Sequence, residues 1–419
     1  MDEPGKGEPG SPVGPACARG EKPDRATQQG PCRRLAKALA SRFHQPDSPA
    51  ARGFFLMSLN KLPVIAGVRQ PRSIVKVGGE RIPACVSWSV LSNSYEQADT
   101  FQVTLATAAL PPDRDANWFS GQRELLVEIF AGFPSNPMQY DEANLESLIY
   151  GRVDGVELDP VSAQLTLSGR DLTALFIDEK VTLQFQNLTA SDVAARLASA
   201  HGLQVAGPPT KQRIGKAYAH DNVSLTHQQT EWDLLAALAR AEGFICYVAG
   251  KTLHFEPRPP AAAEPYELRW GRDEKGNAQA NTATLQLSRD LTVAKGVTVE
   301  ARSWNAKQGK RFSARYTNAP GGDQGQKPTH TVERNGLDQA GVKRLAKQKY
   351  DEVAQHEMKL RARLPADQIL TPTDTLRLTG TGTGFDQDYL IDSITRSMSL
   401  SEGYVMDISA KNINKGTST

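Results

Sequence analysis

The chain reads as a mainly β protein of the α+β class. Apolar and polar residues alternate with period two through most of the sequence, Gly and Pro punctuate these runs, and only a few segments carry helical spacing. Its 419 residues exceed what one core supports, so several domains are expected. The composition, 39% hydrophobic and 23% charged, is that of an ordinary water-soluble protein. The longest apolar runs, such as FICYV (residues 244–248), fall far short of a membrane span, so no stable membrane insertion is expected.

Residues 1–56 differ from the rest. Residues 1–24 are dominated by Gly and Pro and lack apolar periodicity, RRLAKALASRF (33–43) has the pattern of a short basic amphipathic helix, and nine basic against six acidic side chains make the segment net positive. Residues 1–56 are expected to be a disordered or non-native extension, with the natural start at Met57. The remaining body is near neutral, a poor electrostatic match for wrapping nucleic acid. Four cysteines (Cys17, Cys32, Cys85, Cys246) show no CxxC spacing and read as reduced thiols.

From residue 73 the strands follow in order. SIVKVGGERIPACVSWSV (73–90) predicts a hairpin turning at Gly78-Gly79. TFQVTLA (100–106) and RELLVEIFAGF (123–133) are further strands, with PPDRDANWFSGQ a polar loop between them. LESLIYGRVDGVELDPVSAQLTLSGRD (145–171) gives two strands around an Asp159-Pro160 turn. LSGRDLTALFIDEKV then hands a strand over to a short helix, about residues 172–177. Leu172, Leu175 and Phe176 would be buried there, Asp171 would cap the helix, and Arg170 would pair with a carboxylate or a carbonyl.

A mixed segment follows. Thr189 caps a helix that presents Val193, Leu197 and His201 and ends at Gly202. A second helix carries Trp232, Leu235, Leu238 and Ala239, and a hairpin turns at Ala249-Gly250. EPRPPAAAEP (256–265) is a linker and APGGDQGQKP (319–328) a loop. Residues 339–358 form the longest helical pattern, with Val342, Leu345, Ala346, Val353, Ala354 and Met358 on its apolar face. The strands KLRARLP, DTLRLTG, DYLIDSITRSMS and GYVMDISAKN close the chain. One internal echo joins LTLSGRDLT (165–173) to LQLSRDLT (285–292).

No catalytic, cofactor-binding or metal-binding set emerges. His220 and His227, flanking Asp221, show neither HxH nor HExxH spacing, and His356-Glu357 lacks a second His one turn on. GTGTGF (380–385) leads into a strand, whereas a phosphate-cradling loop opens a helix. Asp374, Asp386 and Asp388 lack the rhythm of a calcium loop. Asp154 and Glu157 raise the question of a glycosidase pair, but on a strand they point to opposite faces; with Asp159 they read as solvated strand and turn residues.

The ordered series YGRVDGVELDPVSAQLTLSGRDLTALFIDEKV, FQNLTASDVAARLASAHGL and TEWDLLAALARAEGFICYVAGKTLHFEP, followed by GVTVEARSWNAKQGKRF, resembles the bacteriophage late control protein D family. These are baseplate hub proteins of contractile tails, related to the hub half of type VI secretion spike proteins. The resemblance spans about residues 63–411. It implies two tail-tube-like antiparallel β-barrel domains with smaller mixed insertions. The expected division is 1–56, the extension; 57–182, a first tube-like domain; 183–260, a helix–helix–hairpin domain; and 261–419, a second tube-like domain with helix 339–358.

The resemblance further implies a non-enzymatic homotrimer that joins a hexameric tail tube to a trimeric spike, so that three chains present six similar units. Implied partners are the tube protein, the spike, other baseplate proteins and a tape measure protein, with DNA only in transit through the lumen. No cofactor is implied, and the location is the virion tail, assembled in the bacterial host cytoplasm. The chain ends at Thr419 without a repetitive β-helix, which favours a separate spike protein and a phage or tailocin hub. The competing reading is a tail-tip enzyme or module that binds or hydrolyses peptidoglycan, for which Asp154 and Glu157, or the segment 187–256, would be responsible.

Overall fold

In a computed structural model, residues 70–94, 97–180, 187–211, 213–214, 229–257, 264–294, 296–305, 308–317 and 328–413 are described. The first β unit holds β1 (Arg72–Val77), β2 (Glu80–Arg81), β3 (Cys85–Asn93), β4 (Thr100–Ala106), α1 (Ala116–Gly121), β5 (Leu126–Gly132), β6 (Glu146–Asp159) and β7 (Gln164–Asp171). Next comes α2 (Thr173–Asp178). A mixed segment follows, with β8 (Leu188–Thr189), α3 (Ala190–Ala200), β9 (Gln204–Ala206), β10 (Arg213–Ile214), α4 (Glu231–Glu242), β11 (Phe244–Ala249) and β12 (Thr252–Pro257). The second β unit has β13 (Tyr266–Arg272), β14 (Ala278–Ala280) and β15 (Thr284–Arg289). After α5 (Leu291–Ala294), β16 (Thr298–Asn305), β17 (Lys310–Thr317), β18 (Thr329–Glu333) and α6 (Gln339–Ala354) form an insertion. The unit resumes with β19 (Met358–Pro365), β20 (Thr375–Thr379), β21 (Asp388–Ser399) and β22 (Gly403–Asn412). The chain is mainly β, as its alternation predicts.

Local chemistry accounts for most boundaries. Gly78 and Gly79, at φ +60° and +86°, supply the positive φ that turns β1 into β2. The predicted hairpin is shorter than expected, because β2 stops at Arg81 ahead of Pro83 and β3 leaves to pair with β4 and β21. PPDRDANWFSGQ is more than a polar loop. Asp115 caps α1 by accepting from the Trp118 N–H, and Phe119 is fully buried in the core. Thr189 caps α3 reciprocally with Asp192, and Thr230 caps α4 with Asp233. Gly243, at φ +74°, ends α4. The long helix is shorter than its pattern: α6 ends at Ala354, and Met358 opens β19 opposite Arg289. Residues 258–263 of the linker and 319–327 of the Gly/Gln-rich loop lie outside the described residues.

The two β units repeat one topology. In space the first runs β2-β1-β5-β6-β7-β4-β3, and the second runs β14-β13-β20-β21-β22-β19-β15. Taken in chain order, β1 to β7 correspond to β13, β14, β15, β19, β20, β21 and β22. The five strands from β3 to β5 and their counterparts are joined by antiparallel ladders throughout. At the outer step the units differ, since β1 runs antiparallel to β5 whereas β13 runs parallel to β20. A β-bulge fixes the alignment residue by residue. It falls between Val153 and Gly155 in β6 and between Ile391 and Ser393 in β21, leaving Asp154 and Asp392 as the extra residues.

This alignment corrects the echo read from the sequence. LQLSRD lies on β15, the counterpart of β3, while the counterpart of LTLSGRD is the end of β22, MDISAKN (residues 406–412). Volume is exchanged between the units rather than conserved by position. In the first, Phe101 lies over Gly151 and Gly169; in the second, the matching residues are Leu360, Tyr389 and Ala410. A Cβ on Gly169 would stand 2.1 Å from the Arg152 carbonyl oxygen and 2.7 Å from Phe101 Cζ.

One apolar cluster, from Val75 to Ala410, runs through both units. A second holds α2, α3, α4, β11 and β12, with Phe176 set edge-on to His201 at 4.8 Å and close to Trp232. In the insertion, α6 covers the β17-β16-β18 sheet through Val342, Leu345 and Ala346 on Ala301, and through Tyr350 and Ala354 on Val299. Because its neighbours at Gly169 are backbone and a packed ring, Gly169→Ala is expected to destabilise by up to ~3 kcal/mol in denaturant unfolding. A change below ~0.5 kcal/mol would refute this packing.

Candidate functional site

The charged corner flagged in the sequence sits where β7 ends against β6 and α2 begins. Arg170 donates from Nε to Asp154 Oδ2 at 2.6 Å and from Nη2 to Asp154 Oδ1 at 3.0 Å, and its Nη1 reaches Asp178 Oδ1 at 3.2 Å. Arg152 bridges the same two carboxylates, bonding Asp178 and lying 3.5 Å from Asp154. Two guanidinium groups and two carboxylates thus form one partly exposed network. Burial works against the Asp178 charge, but hydrogen bonds from Arg152 and Arg170 outweigh it and hold this carboxyl below its ordinary range. Arg170 is held more firmly protonated, above all by its bond to Asp154. In the second unit the same bulge is tied the same way, with Lys411 Nζ 3.1 Å from Asp392 Oδ1.

Asp171 turns inward. It is buried, and its Oδ1 accepts from the Thr173 N–H at 3.1 Å while Oδ2 accepts from the Thr173 hydroxyl at 2.9 Å. The helix begins one residue later than expected, so its N-cap position is Leu172, which makes no side-chain cap bond, and Asp171 holds the first helical N–H from one residue further out. Leu172 and Phe176 pack into the core of the helix–helix–hairpin segment rather than simply covering the end of a barrel. Burial, and secondarily the charge of Asp99, push Asp171 up to about 8. Asp99, whose Oδ1 accepts from the Asn93 N–H at 2.8 Å, is pushed up to about 6, chiefly by burial. The counterpart of Asp171 in the second unit is Asn412, a buried neutral amide whose Oδ1 accepts from the Met358 N–H at 2.9 Å.

Asp99 and Asp171 line a cleft of about 530 Å³ where β6, the β11–β12 hairpin tip and residues 368–373 meet. Glu146 and Arg396 line it too. Burial raises the Glu146 carboxyl and the Arg396 charge opposes this. Arg396 is buried and donates to the carbonyl oxygens of Asp367 and Leu370. The polar groups of the cleft hold a helix start, a strand end and a loop together. Sequence reasoning missed Asp99, Glu146 and Arg396, which are far apart in the chain and carry no motif.

The remaining candidates are dispersed. Asp154 is engaged by Arg170 at the bulge, while Glu157 lies exposed on the outer half of β6. Asp159 closes its turn by accepting from the Val161 and Ser162 N–H groups. Asp374 accepts from the Thr371 N–H, Asp386 from those of Thr381 and Gly382, and Asp388 pairs with Arg377, so these three carboxylates serve separate loops. The Asp386 contacts close GTGTGF as a hairpin loop. His356 and Glu357 lie past the end of α6, and Glu357 pairs with Arg289. His201 pairs with Glu231 at 2.6 Å, and His254 stacks on Tyr247. His220, Asp221 and His227 lie outside the described residues. Among the described residues, no group of three or more His, Cys, Asp or Glu side chains is placed to hold a metal ion. Cys85 and Cys246 are free thiols, and no helix among the described residues is long and apolar enough to cross a membrane.

The sequence profile of the phage tail baseplate hub (GPD) family matches residues 154–401. The fold is similar to that of the tail protein from Neisseria meningitidis MC58, with a TM-score of 0.62 at 16% identity over 82% of this chain and 97% of that one. It is also similar to the 43 kDa tail protein of prophage MuSo2 from Shewanella oneidensis, at 0.59 and 15% over 81% and 96%. A third similar fold is the prophage tail protein gp18 from Listeria monocytogenes EGD-e, at 0.52 and 11% over 83% and 96%. No curated protein sequence matches the chain.

Asp171 should make stability pH-dependent. Its carboxyl titrates near 3.8 when unfolded and at about 8 when folded, so the folded state holds the extra proton. Its contribution is therefore complete below pH ~4 and is lost as the pH rises towards 8. Asp171→Asn should flatten the fall in unfolding free energy between pH 5 and 8, whereas Asp171→Ala should cost about 1 kcal/mol at pH 5 through loss of its bonds to Thr173. An unchanged pH slope in Asp171→Asn would refute the assignment.

Proposed function

The chain belongs to the phage tail baseplate hub family, and from that premise we propose that it works as a homotrimeric symmetry adaptor between a hexameric tail tube and a trimeric spike. As a baseplate hub it is a structural protein of the virion tail. One observation carries the finer reading: a single chain holds two β units with the same seven-strand order. Three such chains present six similar units to a sixfold tube and keep threefold symmetry elsewhere, which a closed ring of heterologous contacts provides.

In this reading residues 57–182 and 261–419 are the tube-like domains and 183–260 braces the first of them through α2. Tube protein, spike, other baseplate proteins and the tape measure protein are the partners, DNA passes through the lumen, and the chain carries no enzymatic activity. Of the carboxylates that raised a wall-hydrolase reading, Asp154 is held by Arg170 and Asp159 closes its own turn, which supports a structural role.

Light scattering on the eluting protein should give three times the 45.6 kDa chain mass, or three copies of the chain per complex on addition of the cognate spike or tube protein. A monomer under all these conditions would contradict the adaptor. So would peptidoglycan hydrolysis that is lost on changing Asp154 or Glu157.

A further inference from the structure

Among the described residues one strand ladder joins the two β units, and the chain also carries the two unused halves of a second. The outer edge of β3 pairs antiparallel with the distal half of β21, from Ser87↔Ser399 to Asn93↔Ser393. In the unit repeat, the counterpart of β3 is β15 and the counterpart of distal β21 is distal β6. Among the described residues β15 pairs only with β19, and β6 beyond Gly155 pairs only with β7. The second unit thus offers a free edge of the kind that docks in the first contact. The first unit offers a free edge of the kind that receives it.

Exposure follows the same division. At the joined edge, Trp88 and Val90 of β3 are 3% and 1% exposed, and Ile394 and Arg396 of β21 are 0% and 6%. Their counterparts at the free edges are Leu285 and Leu287, only half-buried, and Val156 and Leu158, exposed at 40% and 46%. Val156 and Leu158 stand opposite the fully buried Leu167 and Leu165, so they face the apolar side of the sheet yet remain uncovered at its rim. A long strand edge with apolar residues at its rim is a template for pairing with another chain.

We propose that β15 of one copy pairs antiparallel with the distal half of β6 in the next copy, in the register set by β3 and β21. Carried across the bulge alignment, this register places Leu287 opposite Leu158, Ser288 opposite Glu157 and Gln286 opposite Asp159 of the neighbour. The partner is a second copy of this chain. Alternating β3–β21 contacts within chains and β15–β6 contacts between chains run one sheet around a ring. That the ring closes at three chains rests on the adaptor reading above.

The test is disulfide cross-linking of full-length chain carrying Cys17→Ser and Cys32→Ser. Directly opposed residues in an antiparallel pair have Cα atoms ~4.5–5.5 Å apart, inside the window for a disulfide. Chains with both Ser288→Cys and Glu157→Cys should oxidise to covalent dimers and trimers. A mixture of the two single variants should give covalent dimers and nothing larger, as a heterologous contact requires. Leu158→Glu should abolish association in light scattering while the far-ultraviolet circular dichroism stays unchanged. A trimer that forms without cross-linking, or that survives Leu158→Glu, would overturn this edge assignment and leave the adaptor standing. A chain that stays monomeric even with its spike and tube proteins would overturn both.

Discussion

The pairing of β3 with the distal half of β21 is the constraint on which the architecture depends. Without it the chain would hold two separate β units, each with an exposed edge. With it they become one 14-stranded sheet and share one apolar cluster. The pairing is possible because β21 is long enough to take two partners on the same side, β20 at residues 375–377 and β3 beyond the bulge at Asp392. The bulge itself is held in both units by a basic side chain from the neighbouring strand, Arg170 at Asp154 and Lys411 at Asp392. A charged corner of this kind resembles an active site in sequence because catalysis and bulge anchoring both place charge at strand ends.

Much of the fold was legible in the sequence because its signals are local. The Gly78-Gly79 turn, the Thr189 cap, the Asp159 turn and the last two strands each depend on residues within a few positions of one another. What was hidden depends on distance or on compensation. PPDRDANWFSGQ conceals a buried Phe119 among polar residues. The short β2 reflects Pro83 and the attraction of β3 to partners far along the chain. The repeat was missed in its true register because the units share topology and not sequence: Gly151 answers to Tyr389, Phe101 to Leu360 and Asp171 to Asn412. A shared Arg-Asp-Leu-Thr string pointed to the wrong strand.

The corner itself was half legible. That Asp171 bonds the start of α2 and that Arg170 pairs with a carboxylate follow from residue types at a strand-to-helix junction. That Asp171 is buried beside Asp99, in a cleft closed by residues 368–373 and Arg396, depends on tertiary contacts that no motif records. The cleft joins the first β unit, the hairpin of the mixed segment and the loop before β20. Its raised carboxyls belong to a joint between parts of a baseplate hub.

The central claim is that one strand-edge contact, made once inside the chain, is repeated between chains. A cryo-EM reconstruction of the assembled tail tip tests it most directly. The account predicts three chains as six β units around the lumen, with β15 of each chain continuous with β6 of the next and Leu287 opposite Leu158. A ring whose subunits meet through other surfaces, leaving β15 and the distal half of β6 unpaired, would contradict it.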